Sequence, residues 1–329
     1  GRTPRRRDAE GAKDRIAWPV PLRSDVVTSP ASRPSDAPRI GIVVTDSYSV
    51  EDPDHDTPLL LDALRDRGVD AAAVVWHRTD DLTGFDALVI RSPWDYPERP
   101  DEFAVWLERA AAQTRVYNDP AVIRWNLDKH YLRDLESAGV RVVPTDYCRT
   151  AEDVADALMR HGDDSIVVKP AVSAGARDTG LFHADDPAAR ALGERIVASG
   201  GVAMVQPEVA ELSAGAEKAL YAIAGHFTHA IAKGALLAHG GGLRGGVYVE
   251  NPVLVEATDA ERAFADEVLQ AVAGVTGHTV PLYARIDTVD SAEHGLVLLE
   301  AELIEPALNL HVASHATDIV ADAIVRLLG

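Results

Sequence analysis

Tyr283-Ala-Arg-Ile-Asp287 and Leu298-Leu-Glu-Ala-Glu-Leu-Ile-Glu-Pro306 are the stretches whose reading decides how this chain folds and what it can bind. Both alternate apolar and charged residues, and successive side chains of a strand point to opposite faces. Arg285 and Asp287 therefore share one face of a first strand, and Glu300 and Glu302 share one face of a second. The connection over 290–295 is short enough to reverse the chain, which predicts an antiparallel hairpin with Asp287 opposite or diagonal to Glu300. Carboxylates set side by side repel one another unless a cation neutralises them. Oxygen ligands suit Mg²⁺, which binds at about 2.1 Å and shares its shell readily with phosphate. The plain alternative is a solvated face of an exposed hairpin, because charged residues are mostly exposed.

Upstream, the lysines narrow the choice. Of the 32 basic residues only five are lysine: Lys13, Lys129, Lys169, Lys218 and Lys233. Arginine's planar fork does not replace a compact ammonium, so a chain that avoids lysine keeps it where a point charge is wanted. Asp128 reads as the N-cap of a helix over 128–138, which puts Lys129 in the first turn, against the helix dipole. That placement is expected of a residue serving a phosphate. Lys169 ends the apolar run Ile166-Val-Val-Lys169, and the turn Ser173-Ala-Gly-Ala-Arg-Asp-Thr-Gly180 can present backbone N–H groups to phosphate oxygens, an ordinary hairpin being the alternative.

The rest of the chain supplies the frame. Strands over 39–45, 70–76 and 86–91 alternate with helices over 56–67, capped by Asp56 and stopped by Gly68, and 101–113, before a short strand ends at Tyr117. Such alternation predicts a mainly parallel sheet, with ligands beyond the carboxyl ends of its strands. The loops over 46–56 and 92–100 leave those ends. Mixed α+β material follows, with strands near Arg141 and over 166–169, 203–206, 219–223, 227–233, 282–289 and 296–303, and helices over 259–272 and about 313–328. Gly240, Gly241, Gly242, Gly245 and Gly246 mark a mobile loop. Residues 1–37 have no apolar periodicity and read as a flexible leader.

At 329 residues, 47% apolar and 26% charged, the chain is globular and long enough for two or three lobes. Its net charge of -20 repels phosphate backbones and argues against a nucleic-acid partner. No apolar run approaches the roughly 18 residues of a membrane span. The single Cys148 excludes an intrachain disulfide, reads as a core residue, and fits a reducing cytoplasm. A homo-oligomer stays open.

The order Lys129, Lys169, a flexible turn, Gln206-Pro-Glu-Val209, then R-x-D and E-x-E resembles the ATP-grasp ligases. Arg91-Ser-Pro-Trp-Asp-Tyr96, Tyr117-Asn-Asp-Pro120, Trp125-Asn-Leu-Asp-Lys129, Val143-Pro-Thr145, His229-Ala-Ile-Ala-Lys233 and Glu302-Leu-Ile-Glu-Pro306 are similar to the branch whose cyclo-ligase makes D-cycloserine from O-ureido-D-serine. The resemblance spans about 40–310. It implies an α/β and α+β chain in the ATP-grasp fold: a Rossmann-like pre-ATP-grasp domain over 38–122, then an ATP-grasp region over 123–329, with a lid over about 145–208 and a catalytic lobe over 209–329. It further implies ATP and two Mg²⁺ ions, with Mn²⁺ as a substitute.

Residue by residue, the resemblance implies that Lys129 and Lys169 hold the α- and β-phosphates beside the Ser173 and Gly175 turn. Gln206, Glu208 and Val209 would meet adenine, and Glu217 the ribose, with Glu211 as its rival. Asp287, Glu300 and Glu302 would be the metal ligands, although many relatives have Asn where Glu302 stands. Lys233 and Arg285 would neutralise the transferred phosphoryl group, joined by Arg244 on closure. Substrate-side candidates are Arg91, Trp94, Asp95 and Tyr96, with Ser47, Tyr48, Asp54 and Glu305. Burial of a small amino acid needs a cation for its carboxylate and an anion for its amine, and Arg91 and Asp95 offer such a pair; packing of the turn is the alternative.

The implied reaction is phosphorylation of a carboxyl or ureido group with release of ADP, followed by attack of a nitrogen within the same molecule or from a second one. A kinase releasing its phosphorylated product, and a nucleotide-binding module without turnover, are the rival expectations.

Overall fold

Strands that are apolar on both faces need cover on both, and this requirement builds the amino-terminal part of the protein. The computed structural model describes residues 16–17, 26–27, 37–48, 53–173, 176–243 and 251–329. Arg39–Val44 and Ala87–Ser92 are buried along their whole lengths. They lie inside a parallel five-stranded sheet ordered Val26–Val27, Asp70–Val75, Arg39–Val44, Ala87–Ser92, Arg115–Tyr117. Gly41 is required there, because a Cβ would stand 2.5 Å from a Leu88 methyl and 2.9 Å from Val74. The parallel sheet is the one expected. Two short pieces of the expected leader pair with the fold: Val26–Val27 joins this sheet, and Ile16–Ala17 pairs with Ser47–Tyr48. The rest of residues 1–36 lies outside the described residues, as do Gly175, Arg244, Gly245 and Gly246.

Two antiparallel sheets follow. A four-stranded sheet runs Gly180–His183, Ser165–Pro170, Ala203–Pro207, Asp146–Cys148. Helices Ala151–His161 and Pro187–Ala198 pack Val154, Leu158, Leu192 and Ile196 into its core, together with Cys148. A five-stranded sheet runs Val253–Val255, His226–Lys233, Glu217–Ile223, Tyr283–Ser291, Gly295–Glu302. Helix Asp259–Thr276 covers one face with Phe264, Val268, Leu269 and Val272. Its N-terminus carries a capping box between Thr258 and Glu261, which satisfies two otherwise orphaned backbone donors.

Helix boundaries differ from expectation in two informative places. Asp56 does not cap its helix, which spans Asp56–Arg65. Asp54 does so instead, accepting from the Asp56 and Thr57 N–H groups at 3.0 and 2.9 Å. The Asp56 carboxylate accepts from Leu308 N–H at 2.5 Å and Leu310 N–H at 2.7 Å, holding the chain beyond the acidic strand. Lys129 is not in a first helical turn. One helix ends at Asn126 and the next is Tyr131–Ser137, with Lys129 in the turn between them and its N–H bonded to Ala171 O at 2.9 Å. The dipole argument for this lysine therefore fails. No strand forms at Arg141; Val142 makes a lone parallel bridge to Leu298.

The parallel and the five-stranded sheets are joined through buried polar contacts. Asn118 donates to Tyr283 O at 2.9 Å and Leu303 O at 2.7 Å, and accepts from Leu282 N–H at 2.6 Å. The last helix, His315–Arg326, packs on the first, where Arg67 pairs with Asp318 at 2.8 Å and Asp322 at 2.6 Å. No helix among the described residues is long and apolar enough to cross a membrane.

Candidate active site

The acidic hairpin forms in the expected register. Tyr283–Ser291 and Gly295–Glu302 are antiparallel, with Asp287 opposite Glu300 and Arg285 opposite Glu302. The register shifts between Asp287 and Thr288, a bulge of the kind that re-aims side chains beside functional sites. Glu217 stands opposite Lys233 in the next strand pair. Alternation in four adjacent strands thus delivers charged residues to one end of one face.

Cations separate the carboxylates. Arg285 reaches both Asp287 oxygens at 2.9 Å and also bonds Glu302. Lys233 Nζ lies 2.8 Å from Asp287 and 3.2 Å from Glu217. Lys129 Nζ lies 2.9 Å from Glu300 and donates to Ser173 O at 2.9 Å. Asp287 and Lys233 are each 3% exposed, so neither could stay charged without such partners. Burial pushes the Asp287 carboxyl upward, and Arg285 and Lys233 overcome it, leaving Asp287 below the usual carboxylate range. Burial wins at Glu302, whose carboxyl is driven upward despite Arg285. It also wins at Lys169, which falls to about 8 with Lys129 adding to the effect and Glu300 opposing it.

These residues line a cavity of about 210 Å³. Lys169, Ser173 and Gln206 reach it from the four-stranded side, while Lys233, Arg285, Asp287 and Glu300 reach it from the five-stranded sheet. Val209, Leu212 and Leu237 supply an apolar part. Leu212 and Leu237 carry no distinguishing pattern in sequence. Gln206 donates to Thr145 at 2.7 Å. Glu208 does not line the cavity; it bonds Ser213 and lies 3.4 Å from His239. Glu211 accepts from Ala292 N–H at 2.9 Å and is committed to that turn, whereas Glu217 is in the cavity wall.

The substrate-side candidates divide. Tyr96 and Glu305 line the cavity, while Arg91, Trp94 and Asp95 do not. Arg91 stacks over the Tyr283 ring at 4.6 Å and donates to Pro306 O. Trp94 Nε1 donates to Glu305 O at 2.9 Å and its ring meets Tyr48 edge-on at 5.5 Å. Asp95 accepts from Trp76 Nε1 at 2.7 Å and pairs with Arg99, so the expected pairing of Arg91 with Asp95 around one amino acid is not assembled. Tyr48, Ser92 and Asp54 form a separate hydrogen-bonded group, with Tyr48 to Ser92 at 2.9 Å and Ser92 to Asp54 at 2.5 Å. Asn126, in the quoted Trp125 to Lys129 stretch, and Tyr131, which carries no site signal in sequence, clamp the acidic strand through Ala301 O, Leu303 N–H and Ala301 N–H.

The carboxylates offer oxygen-only ligands, the donor chemistry Mg²⁺ prefers. Among the described residues no three His, Cys, Asp or Glu side chains are gathered closely enough to hold a metal, and each carboxylate of the hairpin is paired with a cation. A nucleotide's phosphates, arriving with their metal, would compete for those same lysines and free the carboxylates to face the ion.

Residues 40–118 match the family model of the D-cycloserine synthetase DcsG N-terminal domain. The chain is 35% identical over 280 residues to the cycloserine biosynthesis protein DcsG of Streptomyces lavendulae, covering 82% of this chain and 92% of that protein. It is similar to the crystal structure of D-cycloserine synthetase DcsG, with a TM-score of 0.80 at 32% identity over 88% of this chain and 100% of that one. The ATP-grasp ligase PsnB, solved with a minimal precursor, Mg and ADP, shares the fold at a TM-score of 0.61 and 17% identity, over 91% of this chain and 100% of that one.

Proposed function

The chain belongs to the D-cycloserine synthetase DcsG family of ATP-grasp ligases, and from that premise we propose that it is an ADP-forming carbon–nitrogen ligase acting on a small amino acid, with ring closure of the D-cycloserine type as its reaction. The observation that carries this reading is the cavity wall in which Lys129, Lys169, Lys233 and Arg285 face the carboxylates of the acidic hairpin. Such a wall suits the transfer of a phosphoryl group, where catalysis consists of positioning and neutralising charge and needs no protein nucleophile.

In this reading Lys129 and Lys169 hold the α- and β-phosphates, Gln206 and Val209 border the base, and Lys233 and Arg285 stabilise the group in flight, with Arg244 as a further cation. Asp287, Glu300 and Glu302 would hold Mg²⁺ once their lysine and arginine partners turn to phosphate, and the ion would neutralise phosphate charge. Arg91 keeps Nε and Nη1 buried without a hydrogen-bond partner among the described residues and meets the site only through the Pro306 carbonyl that it holds. Residues 38–122 then act as the substrate-side domain and 123–329 as the ATP-grasp region.

Replacing Glu300 by Gln tests the metal assignment while preserving side-chain shape. Mg²⁺-dependent ADP release should fall by about 100-fold or more with the melting temperature shifted by no more than a few degrees. Wild-type turnover in Glu300→Gln would sink the assignment.

A further inference from the structure

Arg91, Trp94 and Tyr96 leave the rim of the parallel sheet together and meet Glu305 and Pro306, the third and fourth residues beyond the acidic strand. Arg91 donates to Pro306 O and Trp94 Nε1 to Glu305 O at 2.9 Å, fixing the backbone. The Tyr96 side chain lines the same cavity wall as the Glu305 carboxyl, whose pKa it lowers. Glu305 is thereby held in the wall of the cavity that Lys129, Lys233 and Arg285 also line. Its carboxyl differs from its neighbours in one respect. Asp287, Glu300 and Glu302 each have a Lys or Arg partner, whereas no Lys, Arg or His among the described residues forms an ion pair with Glu305. A carboxyl that lines the site beside a neutral hydroxyl and forms no ion pair with a described cation can exchange a proton.

Resting on the ligase reading, we propose that Glu305 is the proton acceptor of the carbon–nitrogen bond-forming step, placed where the phosphate-binding wall meets the rim of the parallel sheet. The nitrogen that attacks an acyl phosphate carries at least one hydrogen. As its lone pair forms the C–N bond, the C–O bond to phosphate breaks and its electron pair leaves on inorganic phosphate. The N–H proton passes to the Glu305 carboxylate and from there to solvent. Lysines and arginines that must stay charged for phosphate cannot take it, and the hairpin carboxylates are engaged. Burial raises the Glu305 carboxyl to about 7, with Tyr96, Lys129 and Arg285 pulling it down and Glu300 pushing it up. A base is most effective when its pKa lies near the working pH.

The test uses the full chain with ATP, Mg²⁺ and O-ureido-D-serine, and reads ADP, C–N product and calorimetric affinity for AMP-PNP. In Glu305→Gln, AMP-PNP affinity and substrate KM should hold while product formed per ADP falls by about 100-fold, the acyl phosphate being lost to water. Tyr96→Phe keeps the carboxyl but removes the hydroxyl that lowers its pKa, so the acidic limb of the kcat profile should move to higher pH. Unchanged product per ADP in Glu305→Gln, a raised KM with unchanged kcat, or an unmoved pH limb in Tyr96→Phe would each overturn the assignment. A wild-type enzyme that releases ADP and never joins nitrogen to carbon would overturn the ligase reading and this proposal with it.

Discussion

Lys169 shows how one residue's surroundings set a measurable property. Its ammonium is held at about 8 by burial, with Lys129 beside it. The charged form is the one that binds phosphate, so affinity for AMP-PNP should be flat below pH about 8 and weaken above it by up to about tenfold per pH unit. Lys169→Arg stays charged throughout, and its binding should lose that pH dependence; calorimetry across pH 6.5 to about 9.5 would show both curves. A wild-type affinity that stays constant through that range would contradict the role. The lysine was visible in sequence because lysine is scarce in this chain. The fate of Arg91 and Asp95 was not, because the Pro306 carbonyl and the Trp76 indole that engage them come from distant segments.

At the scale of elements, the hairpin was legible because alternation of period two fixes which side chains share a face, and a short connection leaves few registers. Cap positions were less so. Asp54 and Asp56 are both good caps in isolation, and only the path of 308–310 over the helix start decides which one turns inward. His229, in the strand His226–Lys233, carries a prediction of its own. It stacks on Tyr221 with centroids 4.2 Å apart, donates from Nε2 to Leu308 O at 2.9 Å, and accepts at Nδ1 from Thr228. Burial lowers it from 6.5 to about 4, so the folded state binds this proton more weakly than the unfolded chain. Stability should be unaffected above pH about 6.5 and fall by up to about 3 kcal/mol as pH drops toward about 4. Asp56, raised to about 6, acts in the opposite sense, gaining stability as pH falls. The His229 contribution is therefore read as the difference between wild type and His229→Gln in urea unfolding at pH 7 and pH 4.5. A difference that does not change between those pH values would refute it.

Across the whole molecule, three sheets bring to one cavity residues as far apart in sequence as Tyr96 and Glu305. The parallel sheet and the charged face were readable from local patterns. How the Arg91 to Tyr96 segment would seat on 305–306 was not, since it depends on how the sheets meet through Asn118 and the last helix. The central claim is that this wall phosphorylates an amino acid and then forms a carbon–nitrogen bond. Incubating the protein with ATP, Mg²⁺ and O-ureido-D-serine and resolving every product by mass spectrometry tests it most directly. ADP, inorganic phosphate and a ring-closed amino acid in equal amounts are expected; AMP with pyrophosphate, or a stable phosphorylated amino acid without a new C–N bond, would contradict that chemistry.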